Sequence, residues 1–335
     1  MLHTQDPRAN AVLGVLLLNF GGPQTLAEVR PFLFNLFSDP DIIRIKSDGL
    51  RRTIAWLIAT TRQRKSRRLY QQIGGGSPLR PITEAQAAAL SALLADRGCR
   101  ARVYVGMRYW QPSIDEAIAR IAADPIGQLV VLPLFPQFSI TTTGSCLNYF
   151  RAAAEKAGLP DRMDIFCVPT WFEEPLYLEA MAKQIREAQE RFSTRTPAEI
   201  HLLYSAHSIP VRYVEEGDPY LEQTQKTVAL IDERLGGRFP STLAFQSKVG
   251  PVQWLGPATT DVLAQFGRRG ISRVLVVPVS FISDHIETLQ EIDIEYRKLA
   301  QKAGIREFHR APSLNTNPGF IEALAHITLQ AAMKM

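Results

Sequence analysis

Eight short runs of aliphatic and β-branched residues recur along this chain, at residues 11–19, 101–106, 128–135, 163–168, 199–205, 241–247, 271–279 and 307–311. Several are apolar nearly throughout, as a parallel strand covered on both faces must be. Between them lie longer segments of helical period, at 82–98, 114–123, 176–192, 220–235 and 261–266. Strand–helix alternation of this kind implies right-handed βαβ units and doubly wound sheets. A chain of 335 residues is long enough for two such units. The strands up to Phe135 are expected in one sheet and those from Met163 to Ala311 in a second. The stretch 169–175 then serves as the joint, and the last helix, near 318–333, returns to the first half. The corresponding division is 1–165, 166–313 and 314–335.

Composition excludes several classes. Hydrophobic residues make up 46% of the chain and charged residues 21%, so neither disorder nor low complexity is expected. The three cysteines, Cys99, Cys146 and Cys167, are far apart and in no CxxC arrangement, which argues against a disulfide framework and fits a reducing cytosol. No run approaches the ~18 apolar residues of a membrane helix, and the start of the chain lacks the layout of a secretory signal. Net charge is +5, and its distribution matters more than its size. The segment 44–68 holds nine Lys/Arg and one acid, Asp48. Within it, residues 50–58 read as a helix apolar on one side and basic on the other, the pattern of an interfacial helix or a lip over an apolar pocket. A solvated surface helix is the plainer alternative. No nucleic-acid motif accompanies the patch, so no nucleic-acid partner is expected.

Four strand ends run into small or polar residues: LLLNFGGP, VVLPLFPQFS, LLYSAHSIP and VVPVSFISDH. Ligands of open α/β sheets bind at the carboxyl ends of strands, so all four are candidate walls of one site. His207 stands just past the third, where an imidazole is placed for ligand or proton work or for a loop hydrogen bond. After the fourth come Asp284, His285, Glu287, Glu291 and Glu295. The three glutamates fall at i, i+4 and i+8 and share one helical face, with Ile286, Leu289 and Ile292 opposite. Stacked carboxylates without interleaved lysines repel one another, so such a face is either solvated or cation-binding. Imidazole with carboxylate suits a borderline divalent metal. The glycine-rich turns 19–23 and 73–78 match no phosphate-binding pattern. They read as tight turns that admit close approach of a ligand.

In order along the chain stand NFGGP, SDPDII, IGGGSP, VGMRYWQP, TTTGSCLN, SAHSIP, GDPY, FQSKVGPVQWLGP and SDHIETLQEIDIEY. Together they resemble the ferrochelatase family over about residues 12–330. The resemblance implies two Rossmann-like domains, each a parallel sheet flanked by helices, around a porphyrin cleft. It implies insertion of Fe²⁺ into protoporphyrin IX, with release of two protons, as the last step of haem biosynthesis. His207 and Glu287 become the inner metal pair and the catalytic groups, with Asp284, His285, Glu291 and Glu295 on a proton or metal path. Phe20, Arg108, Tyr109 and Trp254 become porphyrin contacts, and Trp110 a further wall. Phe20 is a point of variation, since some relatives carry Met there. Arg44, Arg51 and Arg52 are candidates for the propionates.

Fe²⁺ is then a substrate and no tightly bound cofactor is expected. No cysteine follows Cys167, so no iron–sulfur cluster is expected either. A bacterial, cytoplasmic monomer fits, with loose peripheral contact between the basic lip and membrane lipid. Two alternatives stay open: the same chemistry on coproporphyrin, and a non-catalytic haem or metal carrier.

Overall fold

The computed structural model describes residues 12–248 and 252–335. The expectations for the first eleven residues, and for Val249–Pro251 of FQSKVGPVQWLGP, lie outside the described residues. Eight strands form two sheets, each four-stranded and wholly parallel. The first contains β1 (Val12–Asn19), β2 (Ala101–Met107), β3 (Ile126–Pro133) and β4 (Asp164–Cys167) in the order β2-β1-β3-β4. The second contains β5 (His201–His207), β6 (Ser241–Gln246), β7 (Arg273–Pro278) and β8 (Glu307–Arg310) in the order β6-β5-β7-β8. The two orders correspond strand for strand. In each sheet the chain reverses its direction of growth between the first and third strands, the kind of point where α/β sheets open a crevice.

β4 departs from expectation. It pairs with β3, Gln128 opposite Asp164 through Val131 opposite Cys167, and so belongs to the first sheet. A boundary at 165/166 falls inside this strand. β4 is a short, half-exposed edge strand, too small for its pattern to reveal which sheet it joins.

Each sheet is covered on both faces. Leu16, Leu18, Leu129 and Val131 of the first sheet pack under α4 (Ile114–Ala123) and α5 (Ser145–Lys156). Leu203, Val274 and Val276 of the second pack under α9 (Thr259–Arg268) and Ile292. The remaining faces share one core. Val15, Leu17 and Val130 of the first sheet, Leu202, Tyr204 and Leu275 of the second, and Tyr177 and Met181 of α6 (Pro175–Gln189) belong to a single buried cluster. α11 (Pro318–Ala332) joins it through Phe320, Leu324 and Ile327, and packs against α6 and α3 (Leu79–Asp96).

The basic segment forms α2 (Asp48–Gln72), capped by the Ser47 side chain and laid against α1 (Val29–Phe37). Its buried positions are Ala55, Ala59 and Tyr70, whereas Leu50, Trp56 and Leu57 are more than half exposed. The small side chains let α1 and α2 approach, and the large apolar ones face outward.

The two glycine turns meet at Gly22 and Gly76: a Cβ on Gly22 would lie 2.7 Å from Ser77, and one on Gly76 would run into the carbonyl of Gln24, whereas Gly74 and Gly75, both at positive φ, have open space around them. Ser77 N donates to Pro23 O at 2.7 Å, so the two motifs interlock.

Candidate metal and porphyrin site

His207 is the last residue of β5, within the ladder opposite Gln246 rather than beyond it. Its amide donates to Ser280 Oγ and its carbonyl accepts from the Tyr220 hydroxyl, both at 2.9 Å. These bonds fix the backbone, and the imidazole then meets Glu287: Nδ1 to Oε2 is 2.9 Å. A carboxylate can only accept, so Nδ1 carries the hydrogen, and in the neutral imidazole Nε2 keeps the lone pair. Neither Nε2 of His207 nor Oε1 of Glu287 has a hydrogen-bond partner among the described residues. Both side chains stay partly open, at 37% and 24% exposure.

The electrostatics follow from this contact. Burial lowers the His207 pKa, but the Glu287 charge and hydrogen bond, helped by Glu291, outweigh it and leave the pKa raised. For Glu287 burial acts upward and the imidazole of His207 downward, and the carboxyl ends below its ordinary range. Glu291 is pushed up by burial and by the Glu287 charge. His285 is lowered by burial, against the pull of Glu287. Its Nδ1 lies 3.0 Å from Ser283 O, which can only accept, so its Nε2 also holds a lone pair. The Phe281 ring stands 6.3 Å from that of His207 and 4.6 Å from that of His285.

The carboxylate stripe is present in altered form. Glu287–Tyr296 is a π-helical segment, wider than the α-helix expected, followed by α10 (Arg297–Lys302). Wide turns of this kind recur at functional sites. Glu291 accepts from Gln246 Nε2, Ser247 N, Ser247 Oγ and Tyr296 OH. Glu295 is exposed. The stripe therefore runs from the His207 contact to solvent.

Asp284 is occupied elsewhere. Its Oδ1 accepts from Arg310 Nη1, Ser313 Oγ and Thr288 Oγ1, and its Oδ2 from Asn315 Nδ2. Burial acts to raise its pKa, but Arg310 and these donors together lower it. Arg310 also clamps Asp293, with Nη2 to Oδ2 at 2.8 Å. Asp284 is a fastening at the start of the π-helical segment.

The facing wall comes from the first sheet. Asn19 ends β1, donating to Thr83 Oγ1 and accepting from Phe20 N. Phe20 packs on Tyr109 and Phe135, with ring centroids 5.3 and 4.9 Å away. Ile286 reaches this wall from the second half. Behind it, three motifs converge on the buried Asp39, which takes Tyr109 OH at 2.7 Å, Ser145 Oγ at 2.5 Å and Arg108 Nη2 at 2.8 Å. Tyr109 is only 2% exposed, and Arg108 is held by Asp39 and Ser145. Both support the wall from behind. Asp39 stands within SDPDII, but its role lies in the donors it gathers, which no local pattern shows.

On the other side, Trp254 is bridged to Pro210, and its buried Nε1 has no partner among the described residues. Arg44 pairs with Glu216, and Arg51 with Asp48, Ser38 O and Ile45 O; Arg52 lies over the Phe34 ring. Arg51 is thus a brace. A cavity of about 770 Å³ lies beside this wall, lined by Phe34, Arg52, Trp110 and Tyr149 among others, but not by His207 or Glu287.

The ferrochelatase family model matches residues 12–332. This chain belongs to the ferrochelatase family. It is 52% identical over 319 residues to a ferrochelatase of Synechococcus elongatus, covering 95% of this chain and 82% of the relative. It is 50% identical over 323 residues to one of Trichormus variabilis, covering 96% and 83%. Membership makes the chain a metal chelatase, a lyase of haem biosynthesis. Solved structures share the fold at low identity. SirB from Bacillus subtilis, solved with Fe³⁺, superposes with a TM-score of 0.57 at 12% identity over 96% of each chain. CbiX, described as the terminal enzyme of sirohaem biosynthesis in denitrifying bacteria, superposes at 0.52 and 15% over 96% of this chain and 99% of its own. The two-domain Rossmann-like architecture is thereby that of the chelatases.

Proposed function

We propose that the chain inserts Fe²⁺ into protoporphyrin IX, with His207 and Glu287 as the groups that meet the reacting atoms. The observation that carries the assignment is the 2.9 Å contact that orients both groups and leaves His207 Nε2 and Glu287 Oε1 unpartnered. In the reaction two pyrrole N–H bonds break, four Fe–N bonds form, two protons leave and no electron is transferred. A flat porphyrin keeps its lone pairs in the ring plane. A cleft that bends the ring exposes them, with strain supplied by binding elsewhere on the ligand. Phe20 and Trp254 are the walls proposed for this. The neutral His207 Nε2 accepts a pyrrole proton. Glu291 and the exposed Glu295 lead protons out or metal in; Asp284 holds the segment that carries them, and His285 stands beside Phe281.

No group of three or more His, Cys, Asp or Glu side chains among the described residues is placed to hold a metal ion. A two-group site suits a cation in transit whose further ligands are the porphyrin nitrogens, and Fe²⁺ is read as substrate. No helix among the described residues is long and apolar enough to cross a membrane. The exposed Leu50, Trp56 and Leu57 on a basic helix support peripheral lipid contact; a cytoplasmic monomer completes the proposal. The chain is proposed to divide into two halves at the stretch after β4, with 314–335 returning to the first.

The test is anaerobic incubation of the protein with Fe²⁺ and either protoporphyrin IX or coproporphyrin, following loss of porphyrin fluorescence. Turnover beyond one haem per chain, faster with protoporphyrin, is expected, and His207→Ala is expected to bind porphyrin without turnover. Stoichiometric binding alone by the wild type would make it a carrier.

A further inference from the structure

Glu287 and Glu291 are held in different ways. Glu287 Oε2 lies within reach of two donors, His207 Nδ1 at 2.9 Å and Ser247 Oγ at 3.0 Å. Glu291 takes Ser247 N and Tyr296 OH at Oε1, and Gln246 Nε2 and Ser247 Oγ at Oε2, the last at 2.5 Å. Ser247 therefore reaches both carboxylates from just beyond the end of β6. It does so from a left-handed backbone, with φ of 66°. That conformation is unfavourable for a serine and free for a glycine. A side chain kept under such strain at a cleft points to work for its hydroxyl.

A hydroxyl carries one proton and can donate to one carboxylate at a time, and its shorter contact is the one to Glu291. Glu291 keeps three other donors while the hydroxyl turns to Glu287, whereas Glu287 has only His207 besides it. Loss of the hydroxyl would fall on Glu287. A carboxylate held by one donor swings about its Cγ–Cδ bond, whereas two donors converging on one oxygen fix its plane. We infer that Ser247 is a positioning residue: together with His207 it pins Oε2 of Glu287 and leaves Oε1 as the oxygen that meets the incoming cation. This rests on the chelatase reading above.

The test compares wild type, Ser247→Gly and Ser247→Ala in anaerobic Fe²⁺ insertion into protoporphyrin IX, with Tm measured alongside. Glycine relieves the backbone strain while removing the hydroxyl, so folding and positioning separate. Ser247→Gly is expected to keep or raise Tm, to hold the porphyrin KM within about twofold, and to lose about tenfold in kcat, the scale of one hydrogen bond to a charged group. Ser247→Ala is expected to show the same kcat loss. A Ser247→Gly enzyme with wild-type kcat overturns the inference, as does one whose porphyrin KM rises as far as its kcat falls. Wild type without turnover removes the chelatase reading and this inference together; wild-type turnover with an equally active Ser247→Gly removes the inference alone.

Discussion

His201 and His207 open and close the same strand, and their surroundings drive them apart. His207 has a carboxylate at 2.9 Å and an open edge. His201 is buried against Phe266, with ring centroids 4.3 Å apart, and its Nε2 faces only the Thr242 hydroxyl at 2.8 Å. Burial, with Arg269 nearby, lowers its pKa to about 4. The sign of the consequence follows. Between the ordinary histidine pKa of ~6.5 and about 4, the unfolded chain binds a proton at this position and the folded chain does not, so stability falls as pH drops through that window. His201→Gln is expected to retain the hydrogen bond and flatten this part of the profile. Urea midpoints at pH 7 and pH 5 check it: a variant that loses as much as wild type between the two would show that the titration lies elsewhere. At this scale the sequence made His207, His285 and the glutamates legible, because they follow apolar strands directly. Ser247 and Asp39 stand in motifs of the family resemblance, but their roles were illegible for a physical reason. One acts through a positive φ and the other by collecting donors from two distant motifs, and neither leaves a local pattern.

At the scale of the element, all eight strands stand within two residues of where apolar patterning put them. α1 and α5 were missed. α1 has aromatic and aliphatic residues on nearly every side and a proline within it, and α5 begins beside a run of threonines, which are poor helix formers. The π-helical segment was legible as a helix but not as a wide one, since an acidic stripe at every fourth residue fits both. Its fastening is Arg310, 10% exposed and shared between Asp284 and Asp293. Arg310→Met would strand two partly buried carboxylates, and a loss of about 2–4 kcal/mol in urea unfolding is expected. Arg310→Lys keeps the charge but cannot fork to both partners, so an intermediate loss is expected. Equal stability of all three proteins would remove the clamp from the account. For α2, helical period was legible but its direction was not: Ala55 and Ala59 face the protein, and Leu50 and Leu57, one heptad apart, face away. Leu57→Glu is expected to weaken co-sedimentation with anionic vesicles, and unchanged co-sedimentation would leave α2 a solvated surface helix.

At the scale of the molecule, two sheets of matching strand order carry site residues at the ends of their first strands: Phe20 follows β1 and His207 ends β5. Strand alternation predicted the two sheets; nothing local predicted how they join. The join is partly apolar, through the shared core and α11, and partly a latch. Asp218, 3% exposed, accepts from Ser139 Oγ and Ile140 N of the first half, each at 2.8 Å, and from Tyr220 N at the start of α8 (Tyr220–Arg234). Beside it, Gln137 Nε2 donates to Thr227 Oγ1 and Phe138 N to Gln223 Oε1. Tyr220 also donates to the carbonyl of His207, so the latch and the metal pair share a residue. Asp218→Ala leaves two donors of the first half without their acceptor and loosens the loop that holds Tyr220. A stability loss of about 2–3 kcal/mol is expected, since buried donors left unpaired cost ~1–3 kcal/mol each. A fall in kcat should accompany it if the latch sets the register of His207 against the facing wall. Asp218→Asn keeps one accepting oxygen and should lie between. Stability lost in this order while kcat stays constant would mean that the latch joins the halves without aligning the site, leaving alignment to the backbone bonds of β5 alone.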